Sequence, residues 1–488
     1  MTKVFVEKCD QYPSFGLYSP SESFPEYNMS DVSQEDNKVY KSIRDILYKI
    51  GHDSENYNTK KWNPLGFLIK PGMKVIIKPN FVLSRHYEGK EYYSIVTHPS
   101  VLRAILDYCV IALGGQGSCW IADAPQYNCN FEELKEKTNI HKVVEYVNSN
   151  TTADVQLVDL RDYWSAGKHF PSLKQDLKGD PNGSQIVELN EMSELYDNCN
   201  HKKLYGAVYD RDETISNHNG KTHRYCVSKS ILGADVIISV PKMKIHKKVG
   251  VTLNAKNLVG INTNKNYLVH YTLSPPSQGG DQYPDDLLKP HEKFLISLER
   301  WMYDHLLAPD IRILEYIHRS IYWFHNNTTK KLGFKVKEEK RWQDAGNWYG
   351  NDSCWRMTVD LMKVLFYSDI DGKMTKQKQR KTFSFIDGVI GGDGRGPLDP
   401  DPVKSGLIVA SECLLSSDVV TSRLMGINPL KIKTNVNLIY NDLDFGIRNI
   451  NDITIIADEE RIVNCLNNKE NICTFKPHPG WIGKIEIQ

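Results

Sequence analysis

The stretch ADVIISVPKMKIHKKVGVTLNAKNLVG, residues 234–260, joins an apolar run to a cluster of lysines and one histidine. The run at 234–240 is rich in Val and Ile and ends at Pro241, which is typical of a buried strand in a parallel sheet. Ligands of such sheets bind beyond the carboxyl ends of the strands. Each lysine that follows would need a buried partner if it belonged to the core. We therefore expect a cationic pocket for an anionic ligand, with a solvated basic loop as the alternative.

Strands and helices alternate on both sides of this stretch. The segment 71–83 (PGMKVIIKPNFVL) indicates a strand, 97–113 (THPSVLRAILDYCVIAL) a helix with Thr97 at its N-cap, and 119–125 (CWIADAP) another strand. This order of strand, loop, helix and strand predicts an α/β fold with a mostly parallel, doubly wound sheet.

The α/β pattern is interrupted once. It covers residues 1–280 and resumes over 346–430, while residues 281–345 form an aromatic, helical insertion. Residues 431–488 are expected to be a small C-terminal α+β element, with strands near NLIYND and DITIIAD.

The insertion is rich in aromatic residues over 298–325. Its polar residues Arg312, Glu315 and His318 alternate with apolar ones, which favours ordinary amphipathic packing on the rest of the protein. A lid, a dimer face or a membrane-surface contact are the alternatives.

Composition excludes several classes of function. The 488 residues carry 61 basic and 60 acidic side chains, so no global field attracts nucleic acid and none is expected as a partner. We find neither a secretion signal nor a membrane span. Ten scattered cysteines without a CxxC pair argue against an iron–sulfur cluster or a structural zinc site, and favour reduced thiols in the cytoplasm.

Polar side chains follow several predicted strands directly, as a binding crevice at the carboxyl edge of a sheet requires. For Asp123 and Asp387 taken singly, a helix cap or a turn is the alternative. The residues predicted here to bind or process a substrate are Lys78, Asn80, Asp123, Lys242, Lys244, Asn257 and Asp387.

The loop GGDGRGPLDPDP, residues 391–402, is rich in glycine. Backbone amides near Gly394 and the guanidinium of Arg395 are suited to hold an anion, with a tight structural turn as the alternative. Its spacing matches neither a dinucleotide fingerprint nor a nucleotide-triphosphate loop. A hard-cation site that uses Asp393 is a third interpretation.

A second candidate anion clamp lies in WYGNDSCWR, residues 348–356. Asn351 and Asp352 stand at an apparent helix start, and Arg356 follows about one turn later. A plain N-cap explains one of the first two residues equally well.

His246 and Lys256 are the predicted catalytic residues, together with Asp387. Nearby lysines disfavour the charged form of His246, which would leave it neutral and usable as a base or a metal ligand. Lys256 is predicted to act as a base, as an imine-forming nucleophile or as a charge partner for the ligand.

Six segments together resemble the domain-of-unknown-function family 362, over most of residues 1–430. Members of that family often carry an iron–sulfur ferredoxin module, which this sequence lacks, and the resemblance implies a fold and motif positions without a reaction. The segments are KPNFV (78–82), THPSVLRAIL (97–106), DAP (123–125), VPKMKIHKKVGVTLNAKNLVGIN (240–262), NWYGNDSCWRMTVDL (347–361) and IDGVIGGDGRGPL (386–398).

A second resemblance concerns only one pair of residues. The spacing of His246 and Lys256 is similar to that of the histidine and the cofactor-bearing lysine in the nickel-pincer lactate racemases, which act by hydride transfer.

These observations predict an enzyme that acts on a small anionic metabolite, carboxylated or phosphorylated and sugar-like in size, by proton or hydride transfer. Isomerase, epimerase or oxidoreductase chemistry fits that description. A non-catalytic accessory protein that binds an anion or a nucleotide is the alternative. The sequence leaves open a metal, for which His246 and Asp393 are candidates, a nucleotide-type cofactor and a homo-oligomer.

Overall fold

The computed structural model describes residues 1–165, 174–197, 200–207, 210–307, 311–331 and 336–487. Its strands are β1 (Thr2–Lys8), β2 (Lys74–Pro79), β3 (Ser118–Asp123), β4 (Asp154–Asp159), β5 (Tyr163–Trp164), β6 (Gln175–Asp176), β7 (Ser184–Glu188), β8 (Leu204–Tyr205), β9 (Arg224–Ser228), β10 (Val236–Val240), β11 (Lys242–His246), β12 (Gly250–Val251), β13 (Tyr271–Thr272), β14 (Lys381–Asp393), β15 (Asp401–Val403), β16 (Leu407–Ser411) and β17 (Ile453–Ile456). Its helices are α1 (Lys38–Ile50), α2 (Pro99–Leu113), α3 (Phe131–Thr138), α4 (Ile140–Ser149), α5 (Arg211–Asn217), α6 (Lys229–Leu232), α7 (Leu253–Asn257), α8 (Pro290–Met302), α9 (Arg312–Lys331), α10 (Glu338–Arg341), α11 (Cys354–Tyr367), α12 (Leu414–Leu424), α13 (Lys433–Ile439) and α14 (Glu460–Val463).

A mostly parallel sheet forms the centre of the fold. Its main path runs β17–β1–β16–β14–β10–β2–β3–β4, and β11, β12 and β15 join it off this path. The five neighbours β14, β10, β2, β3 and β4 are all parallel, whereas β16 is antiparallel to both β14 and β1. The predicted α/β class is therefore confirmed, and the carboxyl ends of β10, β2 and β3 lie side by side.

Helices cover both faces of this sheet because strand side chains alternate between the faces. In β2, Val75 and Ile77 pack with α1, α2 and α4 in one core cluster, whereas Ile76 packs on the opposite side with α11. Val236 and Ile237 of β10 divide between the two clusters in the same way. Both faces of the central strands are buried, which explains why their apolar runs are unbroken.

The chain after Pro241 forms a buried strand rather than a loop. Strand β10 pairs with the first part of β14, and β11 continues along its second part, where Lys242 lies opposite Asp387 and Lys244 opposite Gly392. All five residues of β11 are buried. Lys242 and Lys244 thus belong to the core, which they can do because each has oxygen acceptors described below.

Glycines of the predicted loop 391–402 serve this close strand packing. Gly391 and Gly392 extend β14, and a Cβ atom on Gly391 would lie 2.5 Å from Cζ of Phe475. A Cβ atom on Gly396 would lie 2.1 Å from the carbonyl oxygen of Ile245. Larger side chains at these positions would push β11 away from β14.

Two local predictions differ from the structure. Helix α2 begins at Pro99 with His98 as its N-cap, because the hydroxyl of Thr97 already accepts from the amide of Asn80 and donates to the carbonyl of Val240. The segment NLIYND contributes to helix α13 instead of a strand. In contrast, DITIIAD does form β17, which pairs with β1 and so extends the central sheet.

Residues 281–345 contain helices α8, α9 and α10. The amphipathic orientation of α9 is reversed, however: Glu315 and His318 are buried, whereas Ile313, Ile317 and Trp323 are exposed. Ordinary amphipathic packing is therefore the wrong interpretation of this helix. No helix in the described ranges is long and apolar enough to cross a membrane.

Candidate functional site

A cavity of about 570 Å³ lies beyond the carboxyl ends of β2, β3 and β10, a volume typical of small-molecule sites. Asp123 is the one carboxylate among the described residues that line it. This excess of basic groups favours an anionic occupant. The basic lining residues are Lys244, His246, Lys247, Lys248, Lys256, Lys265, His270 and Arg300.

The floor of the cavity is a closed network of hydrogen bonds. Lys78 Nζ donates to Asp123 Oδ1 at 2.8 Å and to Asn257 Oδ1 at 3.1 Å, and Asn80 Nδ2 donates to the same Asn257 oxygen at 2.9 Å. The amide of Phe81 donates to the other Asp123 oxygen. Because Lys78 neutralises Asp123, the carboxylate does not offset the cations above it.

Gly260 covers this network at very short range. A Cβ atom at Gly260 would lie 2.0 Å from Asp123 Oδ1 and 2.5 Å from Lys78 Nζ. The buried ion pair beneath Gly260 therefore leaves no space for a side chain at this position, the last of the motif NLVG at 257–260.

Two lysines of the lining are held by neutral oxygens. Lys244 Nζ donates to Asn80 Oδ1 at 2.9 Å and to the carbonyls of Ile95 and Pro397 at 2.6 and 3.2 Å. Lys265 Nζ donates to three backbone carbonyls at 2.8–2.9 Å. Three acceptors match the three N–H donors of an ammonium group, so both lysines brace the loops around the cavity.

Lys256 differs from these lysines. Its side chain is buried in the cavity wall, with 7% of the residue exposed, yet no described residue accepts a hydrogen bond from Nζ. Burial lowers the pKa of Lys256 below its usual value. Lys256 therefore has donors, or in its neutral form a lone pair, to offer to a ligand.

Helix α7 holds Lys256 in place through a strained start. Leu253 has a φ of 38°, an unusual value for a residue with a branched side chain. The carboxylate of Asp418 accepts from the amides of Asn254 and Ala255 at 2.8 and 2.9 Å, which secures the first turn. Burial raises the pKa of Asp418 to about 7.

His246 has a defined tautomer. Its Nδ1 accepts a hydrogen bond from the amide of Lys248 at 3.0 Å, and burial, followed by the charge of Lys256, lowers the pKa of His246 well below its usual value. The ring is thus neutral with its proton on Nε2. In this form His246 offers a hydrogen-bond donor, and neither nitrogen has a free lone pair for a metal.

Other groups in the lining were not among the predicted residues. Burial, aided by the charge of Lys247, lowers the pKa of Lys248 to about 7. Arg300 comes from α8 of the insertion and donates to Asp344 Oδ2 at 2.9 Å, while its Nε has no hydrogen-bond partner among the described residues. Arg300 is distant from the other lining residues in sequence, and only the tertiary fold brings it into the cavity lining. Lys265 follows the lysine-rich motif closely in sequence, so the prediction of binding residues could have included it.

Lys242 and Asp387 form a separate buried cluster outside the cavity lining. Lys242 Nζ lies 3.0 Å from Asp387 Oδ2, and the Tyr12 hydroxyl lies 2.6 Å from both Lys242 Nζ and Asp387 Oδ1. The amide of His98 donates to Asp387 as well, at 2.8 Å. Both carboxylate oxygens of Asp387 thus make contacts that join the N-terminal segment and the start of α2 to β14.

The second predicted clamp also lies away from the cavity lining. Asn351 Oδ1 accepts from the amides of Ser353 and Cys354 at the start of α11, while Arg356 binds Asp352 at 2.8 Å. Asn351 thus supports the start of α11, although the N-cap residue itself is Ser353.

The glycine-rich loop places its polar groups elsewhere too. The amide of Gly394 donates to the carbonyl of Lys476, and Arg395 pairs with Glu88 and Asp399. Asp393 accepts from the amide of Lys476 at 2.9 Å. Within the described ranges, no three His, Cys, Asp or Glu side chains come together as a metal site.

Comparison with known proteins places the chain in a family. The profile of the family described as Domain of unknown function (DUF362) matches residues 175–423, slightly more than half of the 488 residues. The match includes His246, Lys256 and Lys265 of the cavity lining. No curated protein and no solved structure matches the chain. The chain therefore belongs to the DUF362 family.

Proposed function

We propose that the protein is an enzyme that binds a small anionic metabolite in this cavity and moves a proton between the substrate and Lys256. The observation that carries the proposal is the buried side-chain nitrogen of Lys256 in the cavity lining, which has no hydrogen-bond acceptor in the part of the chain that the structure describes. Burial lowers the pKa of Lys256, which makes its neutral form, the form a general base needs, more accessible than in an exposed lysine.

The surrounding groups have distinct roles in this scheme. Lys248 and Arg300 bind the carboxylate or phosphate of the substrate. The Lys256 amine takes a proton from a carbon or hydroxyl group of the substrate and becomes an ammonium ion. Negative charge then develops on a substrate oxygen, and the Nε2–H of His246 donates to it. Hydride transfer, the other chemistry considered, would need a hydride acceptor beside the substrate.

A non-catalytic role in anion or nucleotide binding is the second candidate. It is favoured by the network that neutralises Asp123 and by the position of Asp387 outside the lining, which leave no free carboxylate base among the described lining residues. In this case the lysines would act by charge alone.

Proton exchange into deuterated water tests the proposal. Wild-type protein is incubated with a panel of hydroxy acids, keto acids and sugar phosphates, and proton NMR follows the loss of substrate C–H signals. We expect exchange with at least one compound, and a loss of about 100-fold or more in Lys256→Met. Lys404→Met, at an exposed position, is the matched control.

Lys256→Arg separates the two candidates. Arginine keeps the charge but cannot be deprotonated, so an enzyme would retain anion affinity and lose exchange. If wild-type protein binds an anion from the panel but exchanges no proton faster than Lys256→Met does, the accessory role replaces the catalytic one.

A further inference from the structure

Helix α9 turns two polar side chains inward and several apolar side chains outward. Glu315 and His318 are 7% and 6% exposed, whereas Ile313 and Trp323 are 67% and 68% exposed. A surface helix of a globular protein normally shows the opposite orientation. The inverted orientation therefore needs a partner that covers the apolar side.

The exposed residues form one continuous stripe. Ile313, Tyr316, Ile317 and Ile321 recur at intervals of three or four residues, which places them on one face of α9. Phe294 and Trp301 of α8 are exposed as well. Exposed apolar surface of this extent marks an interaction site.

The described acidic side chains of α8, of α9 and of the segment between them are mostly buried in ion pairs. Glu299, Asp304 and Glu315 each pair with an arginine and are at most 20% exposed at the side chain. The exposed arginines of the first half of α9 are Arg312 and Arg319, which lie at the edge of the stripe by helical spacing. Because Arg319 is the partner of Glu315, Arg312 is the charge that remains along the first half of α9, and it is positive.

The sequence around α9 has the same sign. Residues 311–341 contain eight basic and three acidic residues, a net charge of +5, whereas the whole chain carries +1. A second copy of the chain docked symmetrically on the stripe would bring two such segments together, which like-charge repulsion opposes. An anionic surface has the complementary charge.

We propose that the apolar face of α8 and α9 docks the protein on an anionic lipid bilayer. The helices lie in the plane of the interface, with isoleucine and aromatic side chains among the acyl chains and with the arginines at the level of the headgroups. Arg300 of the cavity wall directly precedes Trp301 of this face, so docking places the wall supplied by α8 next to the membrane.

Vesicle co-sedimentation of the full chain tests this proposal. Vesicles contain phosphatidylcholine alone or phosphatidylcholine with about one third phosphatidylglycerol. We expect partitioning at least tenfold stronger to the anionic vesicles, weakened by salt and by about fivefold in Arg312→Gln. Ile313→Asn combined with Ile317→Asn should reduce partitioning by at least tenfold. The matched control combines Ile370→Asn with Ile482→Asn, two exposed isoleucines outside the stripe.

Several outcomes would overturn the proposal. Equal partitioning to neutral and anionic vesicles, or an Ile313→Asn and Ile317→Asn variant that binds like wild type while keeping its circular dichroism, would each do so. Sedimentation equilibrium completes the test: absence of vesicle binding, together with a dimer that the same two substitutions dissociate, would assign the stripe to a second copy.

Discussion

The amide of Lys248 donates to Nδ1 of His246 at 3.0 Å, and this contact decides what the histidine can do. A ring with Nδ1 occupied and a pKa well below its usual value presents only an N–H group, on Nε2, to the cavity. His246 is therefore a hydrogen-bond donor in the proposed site, and Lys256 remains as the base.

Nitrogen NMR on histidine-labelled protein should show this directly. His246 is expected to give the pattern of the Nε2–H tautomer and to keep it from pH 5 to pH 8, because burial and nearby lysines disfavour the imidazolium. His52, whose side chain is 42% exposed, provides a comparison signal in the same spectra. Protonation of His246 near pH 6.5, or an Nδ1–H tautomer, would contradict the assignment.

Anion affinity should fall as the pH rises above 7. The pKa of Lys248 is about 7 in the free protein, and a bound anion raises it, so binding takes up a proton at higher pH and costs up to tenfold in affinity per pH unit. Below pH 7 this group is protonated in both states and the effect disappears.

Calorimetric titration with sulfate measures this linkage, because the charge of sulfate is constant over the range. Buffers with different ionisation enthalpies report the proton uptake. The slope should flatten in Lys248→Arg, which stays charged throughout. An equally steep slope in that variant would assign the linkage to another group.

Lys256→Met should stabilise the ligand-free protein at pH 7, by about 1–2 kcal/mol. Burial keeps the folded-state pKa of Lys256 below its unfolded value, so the folded protein binds fewer protons and this lysine destabilises it most below the folded pKa. The gain in the free energy of unfolding of Lys256→Met should therefore shrink as the pH rises toward 10.5, the usual pKa of lysine.

Urea unfolding at pH 7 and pH 9.5 checks that expectation. Lys244→Met is the contrasting variant, because it leaves three buried acceptors without a donor and should lose about 2–4 kcal/mol. A loss of stability in Lys256→Met comparable to that in Lys244→Met would mean that Lys256 also has a structural role.

Asp387→Asn should destabilise the fold by about 3–5 kcal/mol, because it leaves Lys242 buried without a countercharge.

Arg395→Gln removes a partly exposed ion pair and should lower the free energy of unfolding by less than about 1 kcal/mol. Chemical denaturation measures both. Sulfate affinity should not change in Arg395→Gln. A large loss of sulfate affinity in this variant would show that the glycine-rich loop does bind the anion.

Much of the fold follows from local patterns. The Val and Ile runs of β2 and β10 and the helical spacing of α2 predict the alternation that builds a parallel sheet, because burial on two faces imposes those patterns. Asn80 and Asp123 at the strand ends do lie in the cavity floor, where Asn257 of helix α7 joins them.

The sequence by itself thus determined the α/β class and the edge of the sheet where the cavity lies. Only the tertiary structure decided which cations line the cavity and which are built into the core. Lys244 meets Asn80 across 164 positions of the chain, Arg300 arrives from the insertion, and the inverted face of α9 depends on what packs beneath it. Periodicity reports whether a segment is buried, but the partner that neutralises a buried charge comes from residues distant in sequence, which local patterns do not encode.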